Sequence, residues 1–324
     1  MDGADAAAIA RLEAHARQVR LNILEMVGVG RAGHLGGSCS AADILTALYF
    51  YKMRYDPKDP RWPMRDRFLL SKGHGALAQY AVLCELGVIP KEVLPTAKDL
   101  GSILQGHPDA TKCPGIEANT GSLGQGLSVA LGMALGFRVD GTDQQVYCLV
   151  GDGEAAEGQI WEAAMAAASY KVSNLTCILD HNGVQATDRV EKVLDSGDLG
   201  EKFRCFGWHV LPVNGHDMGA LTRALDAAEA WWDGPVLILA ETVKGKGIDF
   251  AEGQAAFHNG TLTQEQYDTV NGLIENTNRI MRYDQSLMEI INDEAGAFFA
   301  GEKTAEETAQ LIQNRVQLYM AEQG

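Results

Sequence analysis

Short apolar runs alternate with helix-like segments along most of this chain. The clearest run covers residues 145–150 and is apolar almost throughout, which is typical of a strand buried on both faces of a parallel sheet. Four further strands are predicted at residues 67–70, 175–179, 208–213 and 235–240. Because helical patterns separate these runs, their order predicts βαβ units and an α/β fold, with a mostly parallel sheet flanked by helices.

Apolar positions at helical spacing predict helices at residues 6–27, 41–51, 158–170 and 219–231. Between the first two lies a glycine-rich segment, residues 31–38, which reads RAGHLGGS and is predicted as a loop. A similar segment, SKGHG at residues 71–75, follows the first strand. Such glycines suggest backbone packed close to a ligand, and ligands of parallel sheets bind beyond the carboxyl ends of the strands.

The pattern changes after about residue 262, where strand signals stop and the chain becomes polar and helical. This change predicts a main domain at residues 1–262 and a helical tail at residues 263–324. Within the tail, residues 304–322 predict one amphipathic helix, in which Thr304 is the N-cap and Glu307 follows three residues later.

Charge and cysteine content narrow the class of protein. The chain has 324 residues with 27 basic and 43 acidic side chains, so its formal net charge is −16. This charge opposes nucleic acid or an anionic membrane surface as the main partner. The N-terminal segment carries charges throughout and resembles neither a signal peptide nor a membrane span. Six cysteines without zinc-ligand spacing are expected to be free thiols, and the chain is expected to be cytoplasmic.

A carboxylate and an amide stand at the ends of two neighbouring predicted strands. Asp152 lies in a Gly-Asp-Gly sequence directly after residues 145–150, and Asn182 follows the next strand. Their oxygens are hard ligands of the kind that Mg²⁺ or Ca²⁺ takes, and the carbonyl group of Val184 could be a third. Diphosphate oxygens would complete the shell. The alternative is that Asp152 caps a helix and Asn182 belongs to a turn.

Gly153 is the second glycine of that motif. Its backbone N–H is expected to be free to approach a phosphate, and the helix predicted after it directs its positive end roughly the same way. The strand before the motif and the helix after it favour a metal–diphosphate site over simple capping.

The same motif is similar to that of thiamine diphosphate enzymes, and further motifs over residues 8–260 resemble the transketolase family specifically. They are the Gly-His segments at His34, His74 and His107, the glycine-rich run at residues 115–126, and Lys244–Gly247 with His258. Two positions depart from the family pattern. Leu35 replaces a proline and is expected to loosen its loop, and Asn259 separates His258 from the glycine that would follow it.

The resemblance implies a role for each matching residue. The metal would be held by Asp152, Asn182 and the Val184 carbonyl group. The cofactor-binding residues would be His74, Gly121, Leu123, Gly153, Glu157, Asn182 and His258. The channel beside the reactive carbon would be lined by His34, His74, His107 and His258. These histidines would bind sugar hydroxyl groups and move protons, which suits imidazole because it titrates near neutral pH.

Four histidines lie outside such motifs and are expected to be structural: His15, His181, His209 and His216. Two acids have a further implied role, since Glu157 and Glu162 resemble buried acids that lie at a subunit contact in the family.

The resemblance also implies that half of the enzyme is on another chain. Complete transketolases are about twice this length, and the second half carries the pyrimidine-binding domain with the glutamate that activates the cofactor. We therefore expect a C-terminal partner subunit, an α2β2 heterotetramer and sugar phosphate substrates. The open alternatives are a non-catalytic binding or regulatory subunit, and a related thiamine diphosphate enzyme that uses an unusual ketose.

The tail suggests a different relationship. Residues 283–291 and 312–320 resemble the C-terminal helices of bacterial extracellular sugar-binding proteins. One interpretation is a fusion, and the other is a divergent helical extension that docks on the partner chain.

Overall fold

A computed structural model of the chain describes residues 3–280 and 303–323, together with residues 290 and 295. The chain forms two compact units, Met1–Asp268 and Thr269–Gly324. The first unit contains a sheet of five parallel strands in the order β1-β2-β3-β5-β4. These strands are β1 Arg67–Leu70, β2 Val146–Gly151, β3 Leu175–His181, β4 His209–Asn214 and β5 Val236–Glu241.

Helices on the described part of this unit connect and cover the strands. They are α1 Ala6–Val27, α2 Leu35–Ala47, α3 Ala76–Glu85, α4 Gln125–Asp140, α5 Gly158–Ser169, α6 Val190–Leu194, α7 Leu199–Phe206 and α8 Met218–Glu229. A further helix, α9 Gln264–Ile280, begins near the end of the first unit and continues into the second.

The core lies on both faces of the central strands, because every residue of β2 and all but the last residue of β3 are buried. Cys148 and Cys177 are register partners on these two strands, and both are free buried thiols. All six cysteines are free, as the sequence predicts. Continuous apolar runs therefore form central parallel strands here for the expected reason, burial on both faces.

The predicted α/β fold with a parallel sheet flanked by helices is confirmed, and all five strands lie within two residues of their predicted bounds. Among the helices with predicted bounds, the largest difference is at α2, which begins at Leu35, six residues before the predicted start, and the 16-residue helix α4 was not predicted. Gly36 and Gly37 are thus helical residues and not part of a loop.

Close packing explains these two glycines. A methyl group on Gly36 would come within 2.9 Å of Lys244 Cγ and 3.0 Å of the Phe257 carbonyl oxygen, and one on Gly37 within 3.2 Å of His74 Nε2. Small residues allow the first turn of α2 to approach the site, so the glycines that predicted a flexible loop instead permit a tightly packed helix.

The second unit contains α10, Ala305–Gln323, on its described residues. Thr304 Oγ1 accepts from the Glu307 N–H at 3.2 Å, and Glu307 Oε2 accepts from the Thr304 N–H at 2.9 Å, which is a complete capping box. The predicted helix and its cap are confirmed. The other tail segment, residues 283–291, lies outside the described residues except for residue 290.

Candidate active site at the carboxyl edge of the sheet

A cavity of about 410 Å³ lies beyond the carboxyl ends of the central strands, within the usual size range of ligand pockets. It contains side chains that follow four different strands: Lys72 after β1, Asp152 after β2, Asn182 after β3 and Lys244 after β5. The sheet thus brings together positions that are far apart along the chain. Eight residues proposed from the sequence line the cavity: His74, Leu123, Asp152, Gly153, Glu157, Asn182, Val184 and His258.

Asp152 is the carboxylate at one end of this cavity, and it is only 3% exposed. Its Oδ1 accepts from the Gly153 N–H at 2.7 Å, and its Oδ2 accepts from the Gly183 N–H at 2.5 Å. Burial, with the nearby charge of Asp180, raises the pKa of Asp152. Among the described residues no Lys or Arg forms an ion pair with it, and Lys244, which lines the same cavity, interacts with its charge only at longer range.

Asn182 and Val184 add two oxygen donors beside this carboxylate. Asn182 donates through Nδ2 to Asp180 at 3.2 Å, which fixes the amide so that Oδ1 accepts from the Val184 N–H at 3.2 Å. Within residues 3–280 and 303–323, no group of three or more His, Cys, Asp or Glu side chains could hold a metal ion. A metal at this site would therefore need amide and carbonyl oxygens beside Asp152, and this donor set suits Mg²⁺ or Ca²⁺.

The expectation of a free N–H at Gly153 is wrong, because that N–H donates to Asp152 Oδ1. Glycine instead leaves room there for a neighbouring side chain. A methyl group at this position would lie 2.8 Å from the side-chain oxygen of Gln185, which packs across the glycine.

A buried ion pair between Lys72 and Asp180, which the sequence did not predict, lies beside the cavity. Asp180, in β3, is fully buried and pairs with Lys72, and its carboxylate also accepts from Ser40 Oγ at 2.7 Å and from the Thr242 hydroxyl. Burial alone would raise the pKa of Asp180, but the Lys72 charge and the hydrogen bonds outweigh it and hold the pKa below its usual value. The signal available in the sequence was a charged residue directly after an apolar run.

Lys244 connects the two ends of the cavity and was also missed as a site residue. Its Nζ donates to the Val184 carbonyl oxygen at 2.7 Å and lies 3.0 Å from His258 Nδ1. Burial, followed by the charge of Lys72, lowers the pKa of Lys244 to about 8. The proposed metal-binding carbonyl of Val184 therefore already faces a cationic group.

The four predicted histidines form one cluster. The ring centroid of His34 lies 5.5 Å from that of His74, 6.2 Å from that of His107 and 5.3 Å from that of His258. The centroids of His74 and His258 are 4.9 Å apart. The sequence motifs that contain them therefore meet at one point, although they are far apart along the chain.

Burial lowers the pKa of His34 to about 4, with His107 and Lys98 as the next influences. For His258 the pKa also falls to about 4, through burial and then Lys244, and for His74 it falls to about 2, through burial and then Lys72. These three rings are consequently neutral near pH 7. A neutral imidazole can both donate and accept a hydrogen bond, which suits the binding and proton transfer expected of hydroxyl groups.

Backbone contacts hold the His34 and His258 segments together. The Gly33 N–H donates to the Gly260 carbonyl oxygen at 2.9 Å. Leu35, which replaces the family proline, is fully buried, and its own N–H donates to the Gly33 carbonyl oxygen at 2.8 Å. Because proline has no N–H to make that bond, the replacement adds a contact and does not loosen the segment.

Gly121 brings the glycine-rich run against the histidines. Its φ is +139°, and a methyl group there would lie 2.9 Å from His107 Cδ2, so glycine is required on both counts. The buried carboxylate of Glu154 fixes the same run, accepting from the Gly124 N–H at 2.9 Å, from Ser71 Oγ at 2.5 Å and from the Gly151 N–H at 3.0 Å.

Two glutamates and four histidines remain of the residues discussed from the sequence. Glu157 and Glu162 are exposed in this chain, so burial of either would require a partner. The other four histidines have structural neighbours: His15 stacks on Phe50, His181 pairs with Glu241, His209 stacks on Trp231 and His216 pairs with Asp43. No helix in the described ranges combines the length and apolar character needed to span a membrane.

A parallel sheet with oxygen ligands and imidazoles at its carboxyl edge defines an α/β enzyme that binds a cofactor. Residues 12–323 match the family model of the transketolase thiamine diphosphate-binding domain. The chain is 43% identical to the 6-deoxy-6-sulfo-D-fructose transketolase subunit SqwG of a Clostridium strain, over 79% of this chain and 93% of that protein. One subunit of an apulose-4-phosphate transketolase from Phocaeicola vulgatus is also 43% identical, over 79% of this chain and 91% of the relative.

A solved variant of transketolase from Pichia stipitis superposes with a TM-score of 0.76 at 30% identity, over 81% of this chain. This chain spans only 40% of that protein's length. The chain therefore belongs to the transketolase family and corresponds to its thiamine diphosphate-binding part. The family match includes the segment from residue 263 onward, for which the sequence suggested another relationship. The names of the related subunits imply a partner subunit.

Proposed function

We propose that this chain is the thiamine diphosphate-binding subunit of a two-chain transketolase, which transfers a two-carbon ketol unit from a ketose to an aldose. The observation that carries this proposal is one cavity lined by hard oxygen donors and by His74 and His258, two members of a cluster of four imidazoles. Bound thiamine diphosphate would supply the electron sink of the reaction.

The chain's own residues would then divide the work. Mg²⁺ or Ca²⁺ would be held by Asp152, Asn182 and the Val184 carbonyl oxygen, with Lys244 neutralising further diphosphate charge. Gly121 and Leu123 would contact the aminopyrimidine through their backbone. Direct contacts to the diphosphate would come from His74 and His258. The cluster of His34, His74, His107 and His258 would bind the sugar hydroxyl groups and exchange protons with them.

The partner would be a C-terminal subunit that carries the pyrimidine-binding domain, in an α2β2 assembly. The match to this chain covers 93% of one related subunit but only 40% of a solved transketolase. This difference supports a second chain that carries the remaining part. Glu157 lies beside the cavity and Glu162 lies on α5, and both are exposed. A partner that covers this surface would bury them.

The substrate would be a sugar with an anionic end group. The two related subunits are named for a sulfonated and a phosphorylated ketose, so both substrate types belong in the test. Free thiols at all six cysteines suit a reducing compartment, and we place the enzyme in the cytoplasm.

The decisive experiment is a ketol-transfer assay with thiamine diphosphate and Mg²⁺. Donors would be xylulose 5-phosphate, apulose 4-phosphate and 6-deoxy-6-sulfofructose, each offered with an aldose phosphate acceptor. The assay is run on this chain alone, on a candidate C-terminal partner by itself, and on the two combined, with Asp152→Ala as the inactive control.

Turnover only in the mixture is the expected result, and it would establish the split enzyme. Turnover by this chain alone would disprove the need for a partner. Formation of a stable, cofactor-loaded complex that turns over none of the donors would instead support a non-catalytic or differently specific subunit.

A further inference from the structure

We infer that His216 is a positioning residue, which fixes the turn that presents the Lys244 ammonium group to the cavity. The inference rests on the proposed function, in which Lys244 neutralises part of the diphosphate charge, and it deepens that function by naming what holds Lys244 in place. His216 does not line the cavity, so it would act only through Lys244.

Lys244 lies in a tight turn that follows β5. The Lys246 N–H donates to the Val243 carbonyl oxygen at 3.1 Å and closes the turn, and Gly245 has a φ of +80° within it. A methyl group on Gly245 would lie 2.5 Å from the Ala251 carbonyl oxygen, so glycine is required there for its φ and for the space. The direction of the Lys244 side chain therefore depends on how this turn is anchored to the rest of the protein.

His216 anchors the first residue of the turn. Its Nε2 accepts from the Val243 N–H at 2.8 Å, and its Nδ1 lies 2.7 Å from Asp43 Oδ2. A backbone N–H can only donate, so Nε2 must be the unprotonated nitrogen and Nδ1 must carry the hydrogen that Asp43 accepts. Both ring nitrogens are thus used, and the pair with Asp43 selects the tautomer that can accept from the turn.

Asp43, on α2, also reaches the last residue of the turn, through Arg20. The Arg20 guanidinium donates to the two carboxylate oxygens of Asp43 at 3.0 Å and 2.6 Å, and its Nε donates to the Lys246 carbonyl oxygen at 3.0 Å. Burial alone would raise the pKa of Asp43, but the Arg20 charge and the hydrogen bonds from His216 and Arg20 outweigh it and hold the pKa at about 2. One ionised carboxylate is thus linked through two side chains to both ends of the turn.

This anchoring matters because Lys244 occupies an unfavourable place for a cation. Its side chain packs on Gly36, where a methyl group would lie 2.9 Å from Lys244 Cγ, and its Nζ reaches the Val184 carbonyl oxygen at 2.7 Å and His258 Nδ1 at 3.0 Å. Lys244 is only 2% exposed, and burial lowers its pKa to about 8. Since burial disfavours the charged amine, a turn that was free to move would let the amine withdraw toward water.

His15 provides a matched comparison. Its Nδ1 lies 2.9 Å from Glu85 Oε1, and its ring stacks on Phe50. This pair joins α1 to α3 and contacts neither the turn nor the cavity. A variant of His15 therefore loses a histidine–carboxylate pair of the same kind without any change at Lys244.

Two substitutions separate the two contacts of His216. In His216→Asn the amide takes the place of Nδ1, so it can still donate to Asp43 but does not reach the Val243 N–H. In His216→Gln the side-chain oxygen takes the place of Nε2 and can still accept from Val243. Thiamine diphosphate is titrated into the assembled enzyme at a fixed Mg²⁺ concentration for both variants, for His15→Asn, for Lys244→Met and for the double variant His216→Asn with Lys244→Met.

We expect His216→Asn to weaken thiamine diphosphate binding about tenfold, the lower end of the loss that follows removal of a residue supporting a metal ligand. His216→Gln and His15→Asn should stay within about threefold of the wild type, since neither breaks the bond to the turn. Lys244→Met should weaken binding about tenfold or more, as for loss of a hydrogen bond to a charged group. In that background His216→Asn should add less than about twofold, because residues that act through one another are not additive.

Chemical labelling of lysine amines tests the position of Lys244 without cofactor or turnover. The full chain is treated with an amine-reactive reagent, and mass spectrometry follows Lys244 together with Lys72, a second buried lysine beside the cavity. His216→Asn should raise the labelling rate of Lys244 several-fold and leave that of Lys72 unchanged. Local release of the turn exposes one lysine, whereas global unfolding would expose both.

Equal losses of cofactor affinity in His216→Asn and His216→Gln would overturn the inference. Additive losses in the double variant would do the same, as would an unchanged labelling rate of Lys244 in His216→Asn. A wild type that binds no thiamine diphosphate would instead count against the proposed function, and the labelling rates would still decide whether His216 holds Lys244.

Discussion

The two ends of the cavity respond to burial in opposite ways. At one end burial raises the pKa of Asp152, a buried carboxylate that has no Lys or Arg partner among the described residues. At the other end burial lowers the pKa of His74 and His258, which line the cavity, and of the adjacent His34, so these rings are neutral near pH 7. The carboxylate end is therefore suited to receive a cation that arrives with a ligand, and the imidazole end is suited to remain neutral and exchange protons.

Lys244 lies between these ends and keeps them distinct. It contacts the Val184 carbonyl at the oxygen-rich end and His258 at the other, and its own pKa is lowered to about 8 by burial. Its charge is the second influence, after burial, that lowers the pKa of His258. One side chain thus helps to hold the neighbouring imidazole neutral, and it would also neutralise part of the charge of the proposed diphosphate.

The largest effect should come from removing the carboxylate end. We expect Asp152→Ala to weaken metal-dependent thiamine diphosphate binding by about a hundredfold or more, because loss even of a residue that only supports a metal ligand costs about 10- to 100-fold. The measurement is a titration of the cofactor into the assembled enzyme at several Mg²⁺ concentrations.

Asp188→Ala is the matched control for this experiment. Asp188 is a carboxylate shortly after Val184 whose side chain is 50% exposed, and it hydrogen-bonds only within its own loop and to Lys192. Undiminished Mg²⁺-dependent affinity in Asp152→Ala would show that this carboxylate does not bind the metal, and the contrast between the two ends would then rest on burial alone.

The sequence predicted the sheet well because its central strands are buried on both faces. A strand such as β2 must be apolar throughout, and the short length of this run and the turn residues at its ends favour a strand over a buried helix segment. The start of α2 was missed because Gly36 and Gly37 suggested flexibility, whereas the structure uses them for close contacts with Lys244, Phe257 and His74. A glycine in the sequence is compatible with a flexible loop and with a tightly packed helix. Only the residues that surround it in the folded structure distinguish the two.

The site itself was predicted in part for a similar reason. Asp152 and Asn182 follow strands, and strand ends can be read from one sequence. The pair Lys72–Asp180 could not be read in this way, because it depends on the order β1-β2-β3 that brings residues 108 positions apart together. The sequence also could not show that the Gly153 N–H is already used, because it donates to the carboxylate of the preceding residue, Asp152.

A smaller effect on binding, but a large one on turnover, is expected at the imidazole end. His107→Asn should lower kcat by about 100-fold or more, as for loss of a group that transfers protons. Cofactor affinity should change little, because the His107 ring packs on Gly121 and asparagine still fills much of that space. Stopped assays for kcat and cofactor titration give the two values.

His209→Asn is the control, since His209 stacks on Trp231 and belongs to β4 at the edge of the sheet. Should His107→Asn lose cofactor affinity and turnover to the same extent, His107 would be a support for the glycine-rich run and not part of the proton-transferring cluster.

The smallest effect concerns stability, and its direction follows from His74. Its pKa is about 2 in the folded chain and about 6.5 when unfolded, so between these values the unfolded state binds more protons. The free energy of unfolding must therefore decrease as the pH falls below about 6.5, and it continues to decrease until the pH approaches the folded pKa.

His74→Asn removes this proton uptake, so its free energy of unfolding should fall less between pH 7 and pH 4.5 than that of the wild type. Asparagine lowers stability at both pH values through lost packing, and only the difference between the two pH values reports titration. Urea unfolding of this chain at both pH values, with His209→Asn alongside, measures that difference. The same pH dependence in His74→Asn as in the wild type would mean that His74 is not held neutral by burial, and the imidazole end would then lose its most buried member.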